Sequence, residues 1–412
     1  MYDQVFSGRF LYRGSFQELD IGVNNGIISG IKKHIPGERK ILKHAVMPAG
    51  TDTHVHFRDP GETDKEDFAT GTISAVYGGT STIFDMPNNR VKIDNYSVYS
   101  DKLGIVKRKA FCDFGLYSMF TGNNAQVISK ESSGIKIYMG ETTNAAGTSG
   151  FSESGIEAIN TMNIPVVFHA EDGKCLEIHN KIARNLKEYS AIRPEECEDV
   201  AIKNATDMHF NRGVITHMTH SVDTPYAKEV TPHHLLLNYD MPLGSYGKVN
   251  PPLRSPETQQ NLLHSYTGGS FAVVSSDHAP HVQVDKGEFE FARSGIIGVE
   301  TRIPLILALV QKKIVPFDVF YKTCILNPAR MFSLRKGEID TGNYADFITV
   351  DFSSMERIND YRLHSKNPGS PFNGFDAIFP EDVIIRGGSV IERRELVNDR
   401  SGKYVEDLEP LK

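Results

Sequence analysis

Between residues 47 and 336 the chain alternates two kinds of segment, and this alternation narrows its fold more than any other feature. One kind is short, apolar and strand-like: "TSTIFDMP", "FCDFGLYSMF", "GIKIYMG", "IPVVFHA", "GVITHMTH" and "FAVVSSDHAP". Several are continuous apolar runs, the pattern of parallel strands covered on both faces. The other kind is amphipathic. "EDFATGTISAVYGG" sets Ala69, Ile73 and Val76 at i, i+4 and i+7, and "ETRIPLILALVQKK" sets Ile303, Ile306, Leu307 and Val310 at i, i+3, i+4 and i+7. Each spacing puts one apolar stripe on a helix. Alternation on this scale predicts an α/β fold, a (β/α)8 TIM barrel. The chain ends read differently. Residues 1–46 are short strands and turns, with "NNG" at 24–26 suited to a tight hairpin, and strand-like segments return at 336–351 and 382–395. The expected organisation is a barrel over 47–336 and a small β-sandwich-like domain built from both termini, 1–46 and 337–412.

Composition removes several classes of function. No apolar run approaches the ~20 residues of a membrane span. The opening "MYDQVFSGRF" has no basic segment followed by an apolar one, so a cytoplasmic location is expected. A net charge of −7 argues against nucleic acid, and means that any anion must be met by positive charge gathered locally. Cys112, Cys175, Cys197 and Cys324 are widely separated, make no CxxC pair and read as reduced thiols.

Chemistry-bearing residues recur where the apolar runs end. In "DTHVHFRDPG", His54 and His56 stand two apart, so a strand turns both imidazoles to one side. At the C-terminal end of a barrel strand, where such folds place their active sites, the pair could hold one metal ion. His169 ends "IPVVFHA", and Asp277 follows "FAVVSS". "THMTH" offers His217 or His220, on opposite faces of a regular strand; His220, nearer the strand end, is favoured. Four histidines and a carboxylate suit zinc or a similar ion. Lys136 lies inside the apolar "GIKIYMG", where an unpartnered ammonium is costly. Its stem could lie along the core with the amine at the rim. The sharper reading is a neutral amine that adds carbon dioxide to give a carbamate, a carboxylate able to bridge two metals.

Longer motifs accompany these residues: "MPAGTDTHVHFRDPG", "KEDFATGTISAVYGGTSTIFDMPNN", "EVTPHHLLL", "VNPPLR", "SSDHAPH" and "NPARMF". In combination, over nearly the whole chain, they resemble dihydroorotases of the amidohydrolase superfamily, of the type with a lysine bridge. The resemblance implies reversible, zinc-dependent cyclisation of N-carbamoyl-L-aspartate to (S)-dihydroorotate in pyrimidine biosynthesis. It implies two zinc ions held by His54, His56, carboxylated Lys136, His169, His220 and Asp277, with Asp277 also moving the proton. Arg58, Asn88 and His281 resemble the groups that hold the substrate's carboxylate; Asn250, Ser294 and Gly295 resemble contacts to its ring. Arginine agrees on physical grounds, since its planar fork suits a carboxylate. The family further implies a small-molecule substrate, with a homodimer or aspartate carbamoyltransferase as partner. Two departures stand out. "FARSGIIGVET" lacks the Pro-Phe-Gly common before this motif, and only Ser221 to Lys228 separate His220 from "EVTPHH". A parallel crossover usually needs a dozen or more residues, so a barrel helix is missing or the register is unusual. Glu229 is expected to hydrogen-bond a metal ligand rather than bind metal. The rival readings are another cyclic amidohydrolase, an allantoinase or hydantoinase, and an inactive relative serving as a structural partner.

Overall fold

The computed structural model describes residues 1–148, 150–398 and 400–409; positions 410–412, at the end of the expected terminal domain, lie outside the described residues. Eight parallel strands form one sheet in chain order: Gly50–Val55, Thr80–Asp85, Asp113–Met119, Gly134–Tyr138, Val166–His169, Gly213–Ile215, Ala227–Val230 and Val273–Val274. A parallel bridge from Val55 to His278, with the His56 N–H donating to the His278 carbonyl at 2.8 Å, joins the first strand to the segment after the last. The fold is an α/β TIM barrel. The second and third strands are buried at every residue, because side chains of both faces meet protein.

The expected helices form. Phe68–Tyr77 starts at Asp67, whose carboxylate accepts from the N–H groups of Ala69 and Thr70 at 2.8 and 3.1 Å. In Arg302–Gln311 the stripe residues Ile303, Ile306 and Leu307 are fully buried. Among the described residues no helix lies between Ile215 and Ala227. The pairing there is regular, Val214 with Ala227 and Ile215 with Lys228, so the helix is what is missing. No described helix is long and apolar enough to cross a membrane.

Strands from both termini make a second eight-stranded sheet, around a cluster that includes Phe6, Phe10 and Phe347. Its hairpin at Asn25–Gly26 has φ of 51° and 77°, the left-handed pair of a tight turn. Strand Lys40–Pro48 pairs with Phe347–Val350 and leads straight into the first barrel strand. Lys336 ties the two bodies together, with its buried amine 2.6 Å from both Asp113 and Asp346. The last described segment leaves this sheet: Tyr404 bridges to Phe114 of the third barrel strand.

The expectation of four reduced thiols fails. Cys112 and Cys324 are free and buried, but Cys175 and Cys197 form a disulfide. Cys175 lies on helix Gly173–His179 and Cys197 in the first turn of Glu195–Asp207, and the chain doubles back to bring them together. Separation along the sequence hides that proximity.

Candidate active site

The C-terminal strand ends converge on one buried cluster. His54 and His56 project from the first strand as alternation requires, and each ring is fixed by its outer nitrogen. His54 Nδ1 donates to Glu229 Oε1 at 2.9 Å, and His56 Nδ1 donates to Asn88 Oδ1 at 2.7 Å. Both inner Nε2 atoms then face the same oxygen, Asp277 Oδ1, at 3.3 and 3.0 Å. Burial lowers the pKa of His56 to about 3, against the opposing pull of Asp277, so its ring is neutral. A neutral ring that donates from Nδ1 carries a lone pair on Nε2. Lone pairs and a carboxylate oxygen converging in this way are a donor set for a cation, and the three residues can offer ligand atoms within 4.8 Å of one another.

A second donor pair stands beside the first. His169 Nε2 donates to Glu171 Oε2 at 2.9 Å, leaving Nδ1 inward, 3.0 Å from His217 Nε2. Burial alone would raise the Glu171 carboxyl. The Arg193 guanidinium, on it through Nε at 2.9 Å and Nη2 at 2.6 Å, holds it well below the usual carboxylate range. Burial also keeps His217 well below the ordinary histidine value. Lys136 is fully buried on the fourth strand and donates to Thr216 Oγ1 at 3.1 Å. Burial lowers its pKa to about 8, against Glu229 and Asp277, which makes a neutral amine accessible near neutral pH.

His220 is not part of this cluster, contrary to the expectation from sequence. Its Nε2 bonds Asp199 Oδ1 at 2.8 Å and its Nδ1 lies 3.5 Å from Glu198, on the outer side. Burial would lower its pKa, but these two carboxylates raise it to about 9. An inward-facing His220 requires a strand that runs to residue 220. The strand ends at Ile215, and His217 sits just beyond it with φ of 41°. That left-handed turn breaks the alternation and swings His217 inward. Arg58 and Asp277, with φ of 60° and 45°, are placed by the same device past their own strands.

The other expected residues meet here. Arg58, Asn88, Asn250, Ser294 and Gly295 line the cavity, and His281 Nε2 donates to the Ser294 carbonyl at 3.0 Å just behind it. A Cβ at Gly295 would run into the Ala279 carbonyl, so only glycine allows this close approach. Asn88 Nδ2 is engaged with the Thr143 carbonyl at 2.9 Å. Arg58 is 3% exposed, and its Nε and Nη1 are buried with no hydrogen-bond partner. The free space is about 30 Å³, room for one or two waters. Sequence reasoning passed over Tyr138, Glu171 and Tyr189. Tyr138 and Glu171 each stand two residues from a named site residue, and that spacing was a usable signal. Tyr189 comes from a distant helix to bond Asn250 Oδ1 at 2.5 Å and Ser294 Oγ at 3.0 Å, and no local pattern marks it.

The Amidohydrolase family model matches residues 45–390. The dihydroorotase of Thermoplasma acidophilum is 52% identical over 98% of this chain and 98% of its own length. That of Methanosarcina mazei is 32% identical over 96% of this chain and 95% of its own. The chain belongs to the amidohydrolase family, among the dihydroorotases. An L-hydantoinase from Arthrobacter aurescens superposes with a TM-score of 0.91 over 98% of this chain and 100% of that one. At 24% identity the likeness is one of fold alone.

Proposed function

We propose that this cyclic amide hydrolase interconverts (S)-dihydroorotate and N-carbamoyl-L-aspartate, a step of de novo pyrimidine biosynthesis. The observation that carries the reading is Arg58. A buried guanidinium with two unpartnered nitrogens, in a protein of net charge −7, is a costly arrangement unless an anion completes it. Dihydroorotate carries a carboxylate on its ring; hydantoin and allantoin carry none.

The donor set fits divalent zinc. His54, His56 and Asp277 would hold one ion and His169 and His217 a second, with Lys136, as its carbamate, the shared ligand. When bound, such ions bring the pKa of water toward neutrality and polarise an amide carbonyl. The chain's own groups supply the rest. Asp277 takes a proton from the attacking water and delivers it to the ring nitrogen as the amide C–N bond breaks. In ring closure the same carboxylate receives the proton of the carbamoyl nitrogen. Glu229 and Glu171 hold the rings of His54 and His169, so that each keeps one nitrogen turned inward. Arg58 grips the substrate carboxylate, joined by Asn88 once its Nδ2 leaves the Thr143 carbonyl, while His281 Nε2 stays on the Ser294 carbonyl behind the cavity. Asn250, Ser294 and Gly295 border the ring. Fixing the anion fixes the reacting amide, so binding becomes orientation.

Parallel assays of the zinc-loaded enzyme on dihydroorotate, hydantoin and allantoin test the reading. Turnover of dihydroorotate alone is expected; faster turnover of a ring without a carboxylate would refute it. A native mass carrying one added carbon dioxide on Lys136 is expected as well.

A further inference from the structure

Tyr138 ends the fourth barrel strand two residues after Lys136, so the two side chains leave the same face of the strand and enter the same site. The ring is 2% exposed and lines the cavity with Arg58. Its hydroxyl is buried and has no hydrogen-bond partner. A buried phenol normally finds one, and an orphan is retained where something absent completes it. Arg58 and Tyr138, each with a buried donor that has no partner, line the same small space.

Resting on the dihydroorotase reading, we infer that Tyr138 is a specificity-determining substrate contact, its hydroxyl donating to the carboxylate that Arg58 holds. A planar carboxylate offers about four acceptor positions. The arginine fork takes two and the Asn88 amide one, and the phenol takes the fourth from a direction the fork does not cover. The strand fixes the tyrosine rigidly, so the contact selects rings that carry the anion without moving to find it.

The experiment compares the zinc-loaded wild type with Tyr138→Phe, which removes one oxygen and keeps the ring. Calorimetry gives the Kd of orotate and of 5,6-dihydrouracil, a similar ring without the carboxylate, and steady-state kinetics use dihydroorotate. The variant should raise the orotate Kd and the dihydroorotate KM about 10–100-fold, the worth of one hydrogen bond to a charged group. Its kcat should stay within about threefold, with dihydrouracil affinity unchanged. A fall in kcat with unchanged KM would move the hydroxyl to the reacting carbonyl and overturn the assignment. Equal losses for both ligands, or equal orotate affinity in both proteins, would overturn it too. Wild-type protein that binds orotate but does not turn over dihydroorotate would refute the functional reading, while the ratio of orotate affinities still decides the role of Tyr138.

Discussion

Replacing Arg58 with methionine should move activity and stability in opposite directions. The fork can make two charge-assisted hydrogen bonds to a carboxylate, each worth about 1.5–3 kcal/mol. Losing both removes about 3–6 kcal/mol from the bound substrate, a drop of about 10²–10⁴-fold in kcat/KM for dihydroorotate. In the free enzyme the same guanidinium lies buried with Nε and Nη1 unpartnered, at a cost of about 1–3 kcal/mol for each unsatisfied donor. Methionine fills a similar volume with no polar atom. The variant should therefore melt a few degrees above wild type, because a charge held ready for an absent anion is removed. Steady-state kinetics and differential scanning calorimetry on the same zinc-loaded preparations read both quantities. A kcat/KM within tenfold of wild type, or a lower melting temperature, would refute the reasoning, since either result means Arg58 is already satisfied by the protein.

Metal content should separate the two histidines of "THMTH": His217→Asn should lose bound zinc and His220→Asn should keep it, as measured by elemental analysis after gel filtration. His220 should matter for stability instead. Its folded pKa of about 9 exceeds the 6.5 of the free side chain, so its contribution is complete below about pH 6.5 and fades as pH rises through 9. The contribution is on the order of 3 kcal/mol at most, and His220→Asn should lower the melting temperature at pH 6 but not at pH 10. Cleaving the Cys175–Cys197 bond, which spans 22 residues, should cost about 3 kcal/mol by loop entropy, seen as a lower melting temperature with a strong reductant or in Cys197→Ser. A melting temperature indifferent to reductant would count against that linkage.

The barrel was legible because its signals are local. Continuous apolar runs bounded by polar loops mark strands buried on both faces, and a stripe such as Ile303, Ile306 and Leu307 marks a helix, whatever lies elsewhere in the chain. The first-strand ligands were legible for the same reason: alternation alone turns His54 and His56 to one side. The missing helix after His220 could be counted from eight residues that are too few to cross.

What escaped depends on where a strand stops and on what comes near from far along the chain. The choice between His217 and His220 turned on a strand that ends at Ile215 and a left-handed residue after it, and neither leaves a mark in residue spacing. The disulfide and the reach of Tyr189 to Ser294 arise from helices that meet only when the fold closes. Residue types and their periods thus determined the architecture and the kinds of chemistry available. Tertiary packing decided which histidine faces inward and which donors are left unpartnered, because those are properties of three-dimensional neighbours, and hydrogen bonding is settled only once every neighbour is in place.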